Sequence, residues 1–287
     1  MINTNSIAHY LNPKGIRITV ADVSDAAAKI QEIHQLPELT ASIMGKILAG
    51  TAALATDFKN HEGVSLQWKT NSVLGTIHTD AYEGSYVRGF VDHADEGLDI
   101  TEENEKNLVS AAGAKLTVTR YSLLKMPYNS TVLLTDGNIS QCFTQYIEQS
   151  DQTLSFVGTE AKISPEGKII RAAAYIAHLL PEGDKESFLS VLKEGPYFIF
   201  TDDSDKSIHS LLESKEFALL TSSPVSFRCT CSEERIKNSL MSLPEVEKQK
   251  LSEDENIEIF CHYCGKSYKI FRDTFKSWLS NEGGHIQ

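Results

Sequence analysis

The sequence predicts an α+β fold: an N-terminal core domain of mixed sheet and helix, a helical linker, and a small cysteine-bearing C-terminal domain. Three observations carry this. Segments that alternate apolar and polar residues, such as Val64, Leu66 and Trp68 or Leu116 and Val118, follow one another without the regular strand–helix alternation of an α/β chain. Beyond Leu179-Leu180-Pro181-Glu182-Gly183 the composition turns charged and Ser-rich. Four of the five cysteines crowd near the C-terminus as Cys229-Thr230-Cys231 and, after 29 intervening residues, Cys261-His262-Tyr263-Cys264.

Taken in order, residues 22–35 carry Val23, Ala27, Ile30 and His34 at helical spacing after an Asp22 start. Residues 40–58 place Ile43, Ile47, Leu54 and Phe58 among many small residues, the pattern of a helix packed closely against a neighbour. Strands are expected at 73–79, 86–91, 131–135, 153–163 and 169–178, interrupted by a helix near 139–149. The acidic stretch 80–105, with Asp80, Glu83, Asp92, Asp95, Glu96, Asp99, Glu102, Glu103 and Glu105 against Arg88 alone, reads as a solvated loop or helix face. It lacks the register of a calcium loop. These residues belong to a core domain spanning 1–183.

Residues 184–226 read as a metastable linker with modest helical runs such as Phe188-Leu189 and Val191-Leu192, and with a turn or cap at Asp202-Asp203-Ser204-Asp205. In the remaining segment, 227–287, Ser232 can cap a helix carrying Ile236, Leu240 and Leu243, which Pro244 stops. Ser242 and Glu245 have capping-box spacing for a second short helix. Ile257 and Ile259 then Tyr268 and Ile270 form two strands, and Asp273 starts a last helix with Phe275, Trp278 and Leu279. A unit this small needs a staple beyond its own core.

Composition narrows the function. With 287 residues, 41% hydrophobic and 23% charged, the chain reads as soluble and globular. A net charge of -12 argues against a general nucleic-acid binder. No run approaches a membrane span, and Met1–Tyr10 lacks the pattern of a secretory signal, so a cytoplasmic address is expected. In a reducing compartment C-x-C followed by C-x-x-C reads first as a metal site. Cys229, Cys231, Cys261 and Cys264 are the candidate ligands of one tetrahedral Zn²⁺, which makes 227–287 a zinc-binding domain. His262 is expected beside the site and not in it, and Cys142 as a small core hydrophobe. A thioredoxin-like use of Cys261 and Cys264 fits poorly, because no βαβ pattern surrounds them. There is no P-loop, G-x-G-x-x-G, H-E-x-x-H or G-x-S-x-G motif, so an enzyme with a familiar cofactor has no positive support.

Spacing alone is compatible with a permanently metal-bound ribbon that binds a partner, with a thiol oxidoreductase, or with a switch. The stretch 251–287 holds six acids to four bases, so a nucleic-acid-binding ribbon lacks a basic patch. Phe227-Arg228-Cys229-Thr230-Cys231-Ser232-Glu233-Glu234-Arg235, followed by Cys261-His262-Tyr263-Cys264 and Tyr268, resembles the C-terminal signature of the heat-shock protein 33 family. Gln149-Ser150-Asp151-Gln152, Arg171-Ala172-Ala173-Ala174-Tyr175 with Leu179-Leu180-Pro181, and Tyr86-Val87-Arg88-Gly89 resemble further family segments. Asp151 departs from the usual Glu there, and Ala173 and Ala174 from common glycines. The resemblance implies a redox-activated, ATP-independent holdase and no enzyme. The four cysteines would bind zinc when reduced, and would pair as Cys229–Cys231 and Cys261–Cys264 when oxidised. Oxidation would unfold the domain and linker, and a homodimer would hold unfolding client proteins.

Overall fold

A computed structural model of the chain describes residues 4–55, 62–82, 85–95, 97–122, 125–135, 137–195, 197–201 and 207–282. The chain divides into two compact units, Met1–Arg228 and Cys229–Gln287.

The first unit runs β1 (Ser6–Leu11), β2 (Ile16–Asp22), α1 (Ser24–His34), α2 (Glu38–Leu54), β3 (Gly63–Lys69), β4 (Thr76–Tyr82), β5 (Tyr86–Val91) and α3 (Glu102–Val109). It continues with β6 (Lys115–Ser122), β7 (Lys125–Leu133), α4 (Ile139–Ser150), β8 (Ser155–Ile163), β9 (Ile169–Leu179), α5 (Lys185–Glu194), α6 (Ile208–Ser214), β10 (Ala218–Pro224) and β11 (Ser226–Phe227). One sheet has the order β10-β1-β2-β9-β8, the other β11-β5-β4-β3-β6-β7. The fold is α+β as expected; among the described strands of these two sheets every pairing is antiparallel except β11 on β5.

Helix α2 is the centre of this unit. It contacts β8, β9 and β2 of the first sheet and β3, β4 and β5 of the second. A helix between two sheets has no solvent face, which is why Leu39–Ala53 is apolar or small nearly all round and buried. Its small residues mark close approach. A Cβ on Gly50 would stand 2.4 Å from the Phe143 ring, and one on Gly45 would stand 2.5 Å from Ile169 Cδ1.

The first sheet is covered on both faces, and the strand period shows how. Ala21, Ala172, Ala174 and Ile176 face the α2 core, whereas Ile16, Ile18, Val20, Ala173, Tyr175 and Ala177 face a second cluster. That second cluster is completed by Phe188 and Val191 of α5, Tyr197, Ile199, and Ile208, Leu211 and Leu212 of α6. So most of the stretch 184–226 lies on the sheet with its own buried side chains, and it contains strands β10 and β11 besides two helices. The boundary between the two compact units falls after Arg228. Asp202-Asp203-Ser204-Asp205 lies outside the described residues.

Other expectations shift. Asp22 ends β2 and does not cap α1. Its buried carboxylate accepts from Ser24 N (3.1 Å) and Ser24 Oγ (2.7 Å), and it pairs with Arg171 at 2.9 Å. The strand expected at 73–79 is β4, three residues later, because Thr70–Gly75 forms a turn closed by a Thr70 N to Gly75 O bond of 3.0 Å, with Gly75 at φ +68°. The strand at 131–135 is the end of the longer β7. The end of the 40–58 helix, with Phe58, lies outside the described residues.

The acidic stretch is not simply solvated. Asp80 on β4 is buried against Arg88 at 2.7 Å, Glu105 on α3 against Lys46 at 2.5 Å, and Asp95 is 4% exposed. Asp95 accepts from the Thr40 amide (3.1 Å) and hydroxyl at the first turn of α2, and from the amides of Gly97 (2.7 Å) and Leu98 (2.8 Å). Glu83 and Glu96 lie outside the described residues.

Two predictions follow from packing and charge. Gly to Ala in a helix interior ordinarily stabilises by up to about 1 kcal/mol; here Gly50→Ala is expected to destabilise by about 1–3 kcal/mol, because Phe143 must move. Denaturant melting gives the sign. Burial raises the Asp95 pKa, but the four hydrogen bonds outweigh it and hold it below the ordinary carboxylate value. A depressed folded-state pKa contributes stability above the unfolded value, lost as pH falls through the folded one. Asp95→Ala should therefore cost about 1–3 kcal/mol at neutral pH. The gap from wild type should close as pH drops below about 4, as read by melting at several pH values.

Candidate metal centre

The second unit comprises α7 (Glu233–Met241), α8 (Glu245–Glu253), β12 (Asn256–Phe260), β13 (Ser267–Phe271) and α9 (Arg272–Glu282). Ser232 caps α7 as expected, accepting from Arg235 N at 3.2 Å. Ser242 does not cap α8. Pro244 holds that position, and the Ser242 hydroxyl donates back to Ser239 O at 2.8 Å. Asp273 lies in the first turn of α9, which begins one residue earlier. The core clusters four buried side chains, Leu240, Ile257, Ile270 and Phe275, with Ile236, Leu243, Leu251, Trp278 and others partly buried around them; Tyr268 is buried besides.

Each cysteine pair is positioned by local structure. β12 and β13 form an antiparallel hairpin, and Cys261–Gly265 is its turn. Gly265 N bonds Cys261 O at 2.8 Å and Cys261 N bonds Lys266 O at 2.9 Å, with Gly265 at φ +69°. A side chain at Gly265 would strain this turn, and the turn brings the sulfurs of Cys261 and Cys264 to one side. Cys229 and Cys231 lie on the extended segment leading into the Ser232 cap. Between them Thr230 accepts from Arg235 Nη1 at 2.6 Å, which ties the C-x-C segment to α7.

The four sulfurs converge. Cys229 and Cys261 are 3.6 Å apart, Cys231 and Cys264 3.4 Å, and all four lie within 4.8 Å of one another. A zinc tetrahedron with ~2.3 Å Zn–S bonds has sulfur–sulfur edges of about 3.8 Å. Four soft thiol donors at that spacing suit zinc better than a hard cation. Among the described residues this is the one group of His, Cys, Asp and Glu side chains placed to hold a metal ion. His262 is exposed and is not a member of it. Cys142 is buried on α4 within the α2 core, its thiol 3.6 Å from Gly137 O.

One functional partner escaped the spacing argument. The Tyr268 hydroxyl donates to Cys231 Sγ at 3.1 Å. The signal was available in the strand pattern, which places Tyr268 opposite Ile259 beside the turn that bears the thiols. The consequences are electrostatic. Burial pushes the Cys229 thiol up and Cys264 to about 12. Burial also pushes Cys231 up, but hydrogen bonds from Tyr268 and the neighbouring thiols outweigh it and bring it to about 7. Donating to Cys231 holds the Tyr268 phenol above its ordinary value. Charge in the cluster thus settles first on Cys231.

Fold and donor set together define a class: an α+β protein that carries a four-thiol, metal-type centre in a small appended unit. The family model described as Hsp33 protein matches residues 5–271, and the chain belongs to that family. It is 30% identical to the 33 kDa chaperonin of Caldanaerobacter subterraneus subsp. tengcongensis, over 89% of this chain and 90% of that protein. It is 26% identical to the 33 kDa chaperonin of Levilactobacillus brevis, over 92% of this chain and 93% of that one. The crystal structure of the 33 kDa chaperonin of Thermotoga maritima superposes with a TM-score of 0.82, over 98% of this chain and 99% of that chain, at 18% identity, a likeness of fold.

A hydrogen bond to a metal-ligand atom is worth about 10–100-fold in affinity. If the four sulfurs hold a metal ion, Tyr268→Phe is accordingly expected to weaken its binding by about that factor, measured with zinc as the probe by competition with a chromogenic chelator, while Cys142→Ala leaves it unchanged.

Proposed function

We propose that this chain is a redox-regulated, ATP-independent holdase of the cytoplasm, with one Zn²⁺ held by Cys229, Cys231, Cys261 and Cys264 in its reduced, resting form. The observation that carries this reading is the meeting of two cysteine pairs, separated by 29 residues, within 4.8 Å in a unit whose buried apolar side chains, among the described residues, are Leu240, Ile257, Tyr268, Ile270 and Phe275 alone. The names of the relatives, 33 kDa chaperonins, support it. When bound, zinc supplies a cross-link whose binding free energy is folding free energy, and it keeps the sulfurs as thiolates.

Thiolates are the form that peroxide attacks. Two thiolates forming one disulfide give two electrons to one hydrogen peroxide, which takes two protons from water and leaves as two waters. The four cysteines consume two peroxides. The proposed pairs are Cys229 with Cys231 and Cys261 with Cys264. Each closes a very short loop and constrains the chain little, so the long-range link between the two halves is lost. Pairing across the centre would keep that link, and the cross pairs Cys229–Cys261 and Cys231–Cys264 stand 3.6 and 3.4 Å apart. The pairing pattern therefore separates a releasing oxidation from a locking one.

Release reaches residues 184–226, which act as the metastable linker between a core of 1–183 and a zinc domain of 227–287. Short helices such as α5 and α6 hold together only through their packing. Once they lift, Ile16, Ile18, Val20 and Tyr175 are uncovered, an apolar sheet face for partly unfolded proteins. The active form is a homodimer that holds clients stoichiometrically, without turnover.

The test is peroxide with mild warming of zinc-loaded protein. Expected are loss of about one zinc per chain, the two neighbour disulfides by peptide mapping, and suppression of light scattering by an unfolding client at near-stoichiometric ratio. Retained zinc with oxidised thiols and no protection would sink the reading in favour of a constitutive zinc ribbon. Catalytic turnover of a small disulfide would favour an oxidoreductase.

A further inference from the structure

Strand β10 is attached differently from everything else in residues 184–228. The segments before it bury Phe188, Val191, Ile208 and Leu211. All seven residues of β10, Ala218–Pro224, are exposed, and none is charged. It lies at the outer edge of its sheet, paired with β1 in register from Ser6↔Pro224 to Leu11↔Ala218, with one slip between His9 and Tyr10. Main-chain hydrogen bonds to β1, not side-chain burial, keep it there. Such an element belongs to the least stable class in a fold.

The direction of those bonds can be read. Val225 N donates to Asn5 O at 2.9 Å, and Ser6 stands opposite Pro224, which has no N–H. In an antiparallel ladder this alternation makes Ile7–Ser223 and His9–Thr221 the hydrogen-bonded pairs, with Ser222 and Pro224 turned outward. Pro224 thus takes nothing from the hold on β1, and it blunts the outer edge. Beyond it, Val225 is buried and β11 pairs with β5. Arg228 is pinned by its N–H to Val87 O (3.1 Å), by the Tyr82 hydroxyl on its carbonyl, and by its guanidinium over the Tyr86 ring (4.5 Å). The next residue is Cys229. The strand most easily lost from the sheet is therefore separated from the thiols by one short anchored segment.

We propose that β10 is a placeholder. When the linker is released, the edge of β1 from Ser6 to Leu11 takes in its place an extended, uncharged segment of an unfolded polypeptide, held by main-chain hydrogen bonds. This rests on the holdase reading and names where a client is held. Recognition through the backbone needs no particular client sequence, since β10 itself contributes no buried side chain. The segment fits in extended form, antiparallel to β1, with about six residues engaged.

The test uses full-length protein and a fluorescent peptide of residues 216–225. Peroxide-activated protein should bind it. N-methylation at the Thr221 and Ser223 amides should weaken binding about tenfold or more, and methylation at Ser222 should not. Hydrogen exchange should show residues 6–11 reprotected by the peptide. In reduced protein Thr221→Pro should open the site and Ser222→Pro should not, with circular dichroism checking that each variant folds. The peptide arms use wild type, so a misfolded variant leaves the test standing. Equal binding of all peptides, or protection away from β1, overturns the placeholder. So does protection of 6–11 by dimerisation alone, which would make the occupant a second copy's β10. An aggregation assay on the same sample separates the two readings. Client protection with methylation-insensitive peptide binding sinks the placeholder and leaves the holdase. If oxidation gives neither, the holdase falls, and peptide binding to Thr221→Pro decides the strand.

Discussion

Apolar burial is scarce in the small C-terminal unit, and that scarcity sets how the unit can be held. Leu240, Ile257, Ile270 and Phe275 are a core of a size that leaves chain entropy nearly uncompensated. Four sulfurs converge in the same unit, and a metal ion held by them would supply the missing constraint. A fold held by many apolar contacts fails gradually. One held by a few side chains and a thiol cluster depends on the chemical state of sulfur. On the proposed reading, that dependence is what would let a redox input become a conformational output.

The larger unit presents the complementary situation. Its sheet of β10, β1, β2, β9 and β8 has two apolar faces, set by strict alternation along β2 and β9. One face is closed by α2, which is buried on every side and joins both sheets. The other is closed by two short helices and the Tyr197–Phe200 segment. Glu160 fastens that segment by accepting from the amides of Ile199 and Phe200, and the Arg171 guanidinium lies 4.4 Å over the Phe200 ring. One face of the sheet thus has a long central helix as its cover, the other two short helices and a tethered loop.

Much of this was legible in the sequence where the signal is local. Cysteine spacing singled out the four thiols that lie together, alternation gave β3 and β6, and strands were also expected where β5, β8 and β9 lie. What stayed hidden depends on partners far along the chain. The acids at 80, 95 and 105 read as solvent-facing because Lys46 lies 59 residues from Glu105 and Thr40 lies 55 from Asp95. β1 and β2 were passed over in favour of the helix that follows, although Ile16, Ile18 and Val20 do alternate. β10 has no buried side to imprint a period, so no pattern could have announced it. The linker looked coreless for the same reason. Phe188 and Ile208 find their core in strands formed by residues 16–20 and 173–177.

Helix α2 has one more consequence, and it concerns synthesis. The helix is complete at Leu54, yet β8 and β9, which cover much of it, end at Leu179. At translation rates of roughly 5–20 residues per second, an apolar helix waits on the order of 6–25 s for its partners to leave the ribosome. During that interval the nascent chain exposes the kind of surface that draws aggregation. The core of this protein, before it can shield any other chain, must itself pass through a stage in which it is the one in need of shelter.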